Sequence, residues 1–310
     1  DEHRFDMGHR VNEVAQSLFP GGRMIEYDEG LTKAVQATAE HLSDTPDIPL
    51  FEATFSHDGV LIRSDILLKE DSGYRMIEVK SATSVKDYYL NDCAVQAYVM
   101  EGAGFPLSRI ELAHIDNSFV YQGDYNYNGL LYHADLTKKS KAIQSQVPKW
   151  ISRFKTILAG AEPQIEPGDQ CYDPFTCPFL DHCIKETSDY PVSILPRGGR
   201  IAEELINEGI EDVRDIPEGR LSNLTHEKVR RVTIAGKPEV DPEIRRYLNS
   251  LPYPRYYLDF ETIQFPVPIW RGTRPYQQLP FQWSCHIEDV HNNLTHEEFL
   301  DISGKSPLAA

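Results

Sequence analysis

Long apolar segments and a basic leader are both missing from this sequence of 310 residues. Its longest apolar run, residues 94–100, is interrupted by Gln96 and is far shorter than the ~20 residues that a membrane-spanning helix needs. Residues 1–6 (DEHRFD) carry neither a basic nor an apolar segment, so we expect no secretory signal. Because the first residue is not Met, we also expect a fragment or a processed form. These features predict a cytoplasmic protein that makes no contact with a membrane.

Positive charge is scarce as well, with 31 Lys and Arg against 48 Asp and Glu and a net charge of −17. Non-specific affinity for nucleic acid comes mainly from neutralised phosphates, so this composition excludes a general nucleic-acid coat. It leaves room for an enzyme that holds nucleic acid in a local basic groove or through metal ions. Five cysteines are too few for the disulfide framework of a secreted scaffold.

Hydrophobic periodicity and turn signals predict an α/β fold. The predicted helices cover residues 7–19, 30–43, 86–103 and 136–160, and the predicted strands cover residues 50–55, 60–68, 74–81 and parts of 109–122. This alternation is typical of a sheet flanked by helices. Residues 190–250 differ, because short helices joined at Gly209 and Ile210 indicate a helical connector that resembles a helix-hairpin-helix.

The hairpin at residues 61–81 places three charged side chains in an apolar setting. A turn centred on residues 71–72 puts Asp65 opposite Glu78, and Lys80 shares the face of Glu78. Two opposed carboxylates repel each other unless a cation lies between them, and hard oxygen ligands suit Mg²⁺ or Mn²⁺. Such an ion can polarise a phosphoryl oxygen, while Lys80 orients a water or stabilises negative charge. The alternative is an exposed strand edge with solvated charges.

Asp65 with the Glu78-x-Lys80 strand resembles the PD-(D/E)xK nuclease signature, specifically the RecB-like branch that includes CRISPR-associated exonucleases. The resemblance implies a restriction-endonuclease-like core and catalysis by Asp65, Glu78 and Lys80, with Mg²⁺ or Mn²⁺ held by the two acids. Gln96 and Tyr98 resemble the family's Gln-x-x-x-Tyr motif at a shorter spacing. This implies that Gln96 supports the site and that Tyr98 contacts DNA.

The predicted first helix resembles the Gly-x-x-x-His helix of the same family, in which the His often binds metal. Gly8 matches the glycine, but Asn12 occupies the position of the histidine. His9 and Glu13 are the alternatives for that ligand.

Three clustered cysteines, Cys171, Cys177 and Cys183, place soft ligands within 13 residues, a spacing that suits zinc or an iron–sulfur cluster. Buried free thiols in an incidental loop are the alternative. RecB-like nucleases that carry a 4Fe–4S cluster have three cysteines after the nuclease core and one before it. The resemblance therefore implies a structural 4Fe–4S cluster, with Zn²⁺ as the alternative.

The resemblance places the fourth ligand of that cluster before the nuclease core, but residues 1–92 contain no cysteine. We expect it upstream of Asp1, which would also explain the missing Met. Cys93 and His182 are the alternatives within the chain.

A second pair of acids, Asp259 and Glu261, lies on one face of a predicted strand and suits a shared divalent ion. This segment resembles the first strand of a DEDD-type exonuclease with an RNase-H-like fold. A bacterial family known only as a domain of unknown function fuses such a domain to a RecB-like domain. The two later aspartates of the DEDD pattern cannot plausibly fall before Ala310, so we expect an incomplete site. The alternative is a solvated strand end.

A local basic surface is predicted at residues 136–161, which contain six basic residues and no acid. Lys138, Lys139 and Lys141 are its candidate phosphate contacts, and a solvated helix face is the alternative. A weaker candidate is formed by Lys228, Arg230 and Arg231.

Together these features predict a RecB-like nuclease domain at residues 1–188, a helical connector at 189–250 and the start of an RNase-H-like domain at 251–310. The predicted function is metal-dependent hydrolysis of phosphodiester bonds in DNA that is single-stranded or carries ends. The competing hypothesis is an inactive nucleic-acid-binding or scaffolding protein, which the Asn12 position, the acidic charge and the incomplete second site favour.

Overall fold

The computed structural model describes residues 2–45, 47–183 and 188–309. The chain divides into two compact units. One unit combines Asp1–Ala159 with Pro254–Ala310, and the other consists of Gly160–Tyr253. The last 57 residues therefore fold with the N-terminal half of the chain rather than as a separate body.

A mixed six-stranded sheet forms the centre of the first unit, counted over its described residues. Its strands follow one another in chain order: β1 Arg23–Met24, β2 Leu50–His57, β3 Val60–Glu70, β4 Gly73–Lys80, β5 Leu107–Ile115 and β6 Leu131–Asp135. Strands β2, β3 and β4 are antiparallel, whereas β4 and β5 are parallel, so a helix must connect them. This arrangement confirms the predicted α/β class.

Helices cover both faces of this sheet, and their bounds are α1 Glu2–Ser17, α2 Leu31–Asp44, α3 Asp87–Gly102, α4 Thr137–Gln144 and α5 Val147–Ala159. One hydrophobic cluster packs α2 and α3 against residues such as Leu67 and Met76. The other packs Val11 and Val14 of α1 against Ile77. Successive side chains of β4, such as Met76 and Ile77, thus point to opposite faces of the sheet and pack in different hydrophobic clusters.

The single long helix predicted at residues 136–160 is wrong, because the structure contains two helices, α4 and α5. Pro148 lies in the first turn of α5. Proline lacks a backbone N–H and is tolerated only in the first turn of a helix, so a new helix starts there.

The β3–β4 hairpin has the predicted register. Ile66 pairs with Ile77, and Glu70 pairs with Gly73 across the turn at residues 71–72. Gly73 has a φ of 150°, and a Cβ on it would lie 2.5 Å from the Pro106 carbonyl oxygen, so a side chain would clash with the backbone there. Continuing this register places Asp65 across from Glu78.

Residues 254–310 add a three-stranded antiparallel sheet with strands β7 Arg255–Ile263, β8 Leu279–Glu288 and β9 Leu294–Leu300. The loop between β7 and β8 packs on the first sheet. Val267 is buried in the α1-side cluster with 2% of its surface exposed. Gly272 donates its N–H to the Tyr121 carbonyl at 2.8 Å, and Tyr121 donates to the Thr273 carbonyl at 3.0 Å. These contacts join the two parts of the first unit.

The second unit is helical, with α6 Leu180–Cys183, α7 Gly199–Asn207, α8 Leu224–Ala235 and α9 Pro242–Ser250. Its hydrophobic core includes Leu205, Val213 and Ile216. The hairpin at Gly209, where the sequence predicts a helix-hairpin-helix-like turn, borders a cavity. The cavity is lined by four acidic side chains and one arginine, namely Asp189, Glu211, Asp212, Asp215 and Arg214. This excess of negative charge does not favour the binding of a phosphate.

A helix that crosses a membrane needs about 20 consecutive, mostly apolar residues. Across residues 2–45, 47–183 and 188–309, no helix combines that length with that apolar character.

Candidate active site

The predicted catalytic residues meet where β4 ends and α3 begins. Lys80 is the last residue of β4, and α3 starts at Asp87 after a short connection. The carboxyl ends of parallel strands are a common place for ligand sites in α/β sheets, because the strand-to-helix connections leave a crevice there. The site therefore lies where this topology is expected to provide one.

Glu78 is the centre of a hydrogen-bonded network and is only 6% exposed. Lys80 Nζ lies 2.6 Å from Glu78 Oε1, and Gln96 Nε2 donates to Glu78 Oε2 at 2.7 Å. Lys80 Nζ also lies 2.9 Å from Asp92 Oδ2. These contacts confirm that Lys80 shares the face of Glu78 and that Gln96 reaches the site from α3.

Asp65 is held by the backbone of the neighbouring strand. Its Oδ2 accepts a hydrogen bond from the Val79 N–H at 2.6 Å, which fixes the rotamer of the carboxylate beside Glu78. The β3–β4 ladder ends at the Ile66–Ile77 pair, and the Val79 N–H, two residues further along β4, bonds to this side chain. The hairpin thus presents Asp65 and Glu78 together.

Burial raises the pKa of both carboxyl groups. For Asp65, the loss of hydration raises the pKa well above its ordinary value, and the charge of Glu78 raises it further. For Glu78, burial raises the pKa although the Lys80 ammonium opposes this shift. The fold therefore holds two acids where their ionised forms are unfavourable, as is typical of functional sites.

Lys80 remains a cation at this site. Burial alone would lower its pKa, but the charges and hydrogen bonds of Glu78 and Asp92 outweigh it and raise the pKa above the ordinary value. A lysine in this state donates hydrogen bonds and stabilises negative charge, but it does not accept a proton. The charges of Glu78 and Asp92 therefore favour the protonated form of Lys80.

Sequence reasoning missed two acidic residues near the site, Asp92 and Glu52. Asp92 precedes Gln96 by four residues, so both side chains lie on one face of α3. This spacing could have indicated from the sequence that Asp92 belongs to the site. Glu52 is half-buried in β2 with a φ of 56°. Its negative charge contributes to the raised pKa of Asp65. A non-glycine residue with positive φ inside a strand is uncommon and costs free energy.

The position of the family histidine is occupied by Asn12, and its side chain does point at the site. Asn12 Nδ2 lies 3.4 Å from Asp65 Oδ1 as a hydrogen-bond donor. Of the two alternatives, Glu13 forms an exposed ion pair with Arg10 at 2.8 Å. His9 is exposed, and its charge lowers the pKa of Glu52 rather than that of Asp65. The structure thus brings Asn12, rather than His9 or Glu13, to Asp65.

Asp65 and Glu78 supply hard oxygen ligands of the type that Mg²⁺ and Mn²⁺ prefer. Mg²⁺ usually keeps several waters and takes only one or two protein carboxylates, so Asp65 and Glu78 suffice. Gln96 Oε1 is buried and has no hydrogen-bond partner among the described residues, which leaves an acceptor for a water at the site. Within those residues, no group of three His, Cys, Asp or Glu side chains is arranged around one metal position.

The other predicted nucleic-acid contacts lie away from Glu78. Tyr98 hydrogen-bonds Asp58 Oδ2 at 3.3 Å and packs on His57 at the β2–β3 turn. Lys141 donates to the Leu107 carbonyl at 3.0 Å and pairs with Glu101. Lys138 and Lys139 are exposed on α4.

The three clustered cysteines do not form a metal site in the described structure. Cys171 is buried, Cys177 is half-buried and Cys183 is exposed. His182, one alternative fourth ligand, lies 2.7 Å from Glu162 instead. The other alternative, Cys93, is fully buried in the core of the first unit, where burial raises the pKa of its thiol.

Asp259 and Glu261 occupy one face of β7, as predicted, opposite Ser284 and Gln282 of β8. Both carboxylates are exposed. This face adds His286 and His296, whose rings stack with centroids 4.5 Å apart, but the described residues here do not form a group of three metal ligands.

Comparison with known proteins assigns a family to only a small part of the chain. Residues 256–310, which include almost all of β7 and the whole of β8 and β9, match the domain of unknown function DUF2779. No curated protein matches the chain, and no solved structure does. The residues around Glu78 lie outside the matched segment.

Proposed function

We propose that this chain is a metal-dependent nuclease that hydrolyses phosphodiester bonds in DNA. The supporting observation is the network at Glu78, in which a buried carboxylate faces Asp65 and binds both Lys80 and Gln96. The mixed sheet flanked by helices is compatible with a restriction-endonuclease-like core of the RecB-like type. The description of DUF2779 gives neither a fold nor an activity. We propose an RNase-H-like relationship for this segment from the Asp259 and Glu261 pair on β7 alone.

Each residue has a distinct part in the proposed reaction. A divalent ion at Asp65 and Glu78 would polarise a phosphoryl oxygen and make water more acidic. Lys80 keeps its proton and stabilises the negative charge that develops on the phosphate oxygens. Gln96 holds Glu78 through its amide N–H, and its Oε1 can accept a hydrogen bond from the attacking water. Asp92 holds Lys80 in place.

The bonds that change are those at phosphorus. The oxygen of the water forms a bond to phosphorus, and the bond from phosphorus to one nucleoside oxygen breaks. The water loses a proton to solvent, and the leaving oxygen takes one up. No side chain is consumed, so the residues are ready for another turnover.

DNA cleavage by a variant of Glu78 tests the proposal. With Mg²⁺ or Mn²⁺ we expect Glu78→Gln to cleave labelled single-stranded DNA at least about 100-fold more slowly than the wild type. Glu297→Gln, at an exposed position in β9, is the matched control and should cleave normally. Equal rates for all three proteins, or unchanged cleavage with EDTA, would reject the assignment.

The second candidate is a catalytically inactive protein that binds or scaffolds nucleic acid. The observation that favours it is the Asn12 side chain, which offers Asp65 a hydrogen-bond donor where the family has a metal ligand. This candidate predicts DNA binding without metal-stimulated turnover. A cleavage product that depends on Glu78 would eliminate it.

We further propose that the cysteine loop carries a structural 4Fe–4S cluster, although the structure does not bring its thiols to one point. We expect the anaerobically purified protein to be brown and to contain about four irons with matching sulfide. Cys177→Ser should lose both the iron and the colour. A colourless protein with stoichiometric zinc, or with no metal, would contradict this proposal.

A further inference from the structure

A row of side chains runs sideways from the site across the ends of three strands. Lys80 of β4 is in register with His114 of β5, and His114 is in register with Tyr132 of β6. Register partners in neighbouring strands point to the same face, so the three side chains form one row. Two strand spacings make the row about 10 Å long, which is one to three nucleotides of a single strand.

The row is aromatic at its outer end and remains accessible. The rings of His114 and Tyr132 contact each other with centroids 5.3 Å apart, and Tyr132 is 58% exposed. The His114 ring is also held at Nδ1 by the Ile115 carbonyl at 3.2 Å. The Tyr132 ring is tilted by 42° to the His114 ring, and because more than half of Tyr132 is exposed, a planar base can stack on it.

The inner end of the row continues into the site. Lys80 Nζ lies 5.5 Å from the centroid of the Tyr89 ring, so the ammonium borders an aromatic surface there as well. The backbone beneath the row is fixed, because Ile115 donates its N–H to the Ala82 carbonyl at 2.9 Å. The Tyr276 hydroxyl, from the β7–β8 loop, donates to the Ser81 carbonyl. This arrangement suits the positioning of a strand whose phosphate lies at Lys80.

We propose that His114 and Tyr132 form a stacking platform for an unpaired nucleobase beside the scissile phosphate. This inference rests on the proposed nuclease function and deepens it, because it makes a single strand the substrate. In a duplex the base faces are covered by their neighbours, whereas in a single strand they can stack on aromatic rings. A chain with a net charge of −17 gains little from general attraction to phosphates, so stacking is the more effective source of affinity.

Binding without cleavage tests the platform separately from the nuclease. In EDTA, a short single-stranded DNA that contains one fluorescent base analogue is titrated with wild type, Tyr132→Ala, Tyr132→Trp and Tyr125→Ala. Tyr125 is 83% exposed in the loop before β6 and is the matched control. We expect Tyr132→Ala to raise Kd at least about fivefold and to abolish quenching of the analogue, whereas Tyr132→Trp and Tyr125→Ala bind normally.

Two further ligands sharpen the result. A strand of the same length without bases should bind wild type and Tyr132→Ala equally, and an RNA of the same sequence shows which sugar is preferred. Equal Kd values for Tyr132→Ala and Tyr125→Ala, an equal loss with the base-free strand, or no binding by the wild type would overturn the platform. Stacking without any metal-dependent cleavage would instead overturn the nuclease proposal alone.

Discussion

Replacing Asp65 by asparagine is expected to abolish cleavage and, at the same time, to stabilise the metal-free fold. Asparagine keeps an oxygen that can accept the Val79 N–H, so the local hydrogen bond survives. It removes a carboxylate whose pKa is raised by burial and by Glu78, and an ionised group in that state destabilises the protein. We expect a cleavage rate at least about 1,000-fold lower and a gain of about 1–2 kcal/mol in the free energy of unfolding at neutral pH.

The direction of the pH dependence follows from the raised pKa. The folded state binds the Asp65 proton more tightly than the unfolded chain does, so stability falls as pH rises from about 4, the ordinary carboxyl value, through the folded pKa. The advantage of Asp65→Asn should therefore be large at neutral pH and disappear near pH 4. Denaturant unfolding at the two pH values measures it.

The matched control is Asp71→Asn, an exposed residue in the turn of the same hairpin. It should change neither cleavage nor stability by a measurable amount. Mg²⁺ should stabilise the wild type and the control but not Asp65→Asn, because only a ligand that binds the folded state raises its stability. If Asp65→Asn were no more stable than the wild type at neutral pH, this would contradict the conclusion that burial and the charge of Glu78 destabilise the ionised Asp65 carboxylate.

Replacing Lys80 by arginine is expected to reduce cleavage by about 100- to 1,000-fold while the fold is maintained. Arginine keeps the positive charge that balances Glu78 and Asp92, but its planar fork cannot place a compact ammonium at the same point. Lys69→Arg, near the turn of the hairpin, is the matched control and should retain activity.

The pH–rate profile separates the two possible roles of Lys80. In the metal-free protein, Glu78 and Asp92 raise the pKa of Lys80 above its ordinary value. Asp92 also contacts the ammonium, so we expect Lys80 to stay protonated across the pH range of the assay. The wild-type rate should therefore show no increase that reflects deprotonation of a lysine between about pH 7 and 10. A rate that rises with a lysine pKa in this range would identify Lys80 as the base and contradict the electrostatic role.

The hairpin and its acids could be predicted because local signals suffice for them. The two-residue turn sets the register, and the period of two then decides that Asp65, Glu78 and Lys80 share one face. Gln96 was predicted through a family resemblance, and the structure places its amide at Glu78. Such features depend on neighbours in sequence or on short motifs.

Other features depend on contacts between distant segments, and the sequence does not show them. Docking of the 264–278 loop on the first sheet joins Tyr121 and Thr273, which are more than 150 residues apart. The row at Lys80 required the register of β5 and β6 with β4. The contact of Asp92 with Lys80 depends on how α3 packs beside the end of β4, which the sequence does not show.

We propose that Asp65 and Glu78 together hold a hard divalent cation. A crystal of the protein soaked in Mn²⁺, with the anomalous signal used to locate the ion, tests this directly. We expect one strong peak at about 2 Å from a carboxylate oxygen of each residue, and its loss in Asp65→Asn. Ordered Asp65 and Glu78 side chains without a peak between them, at saturating Mn²⁺, would contradict it.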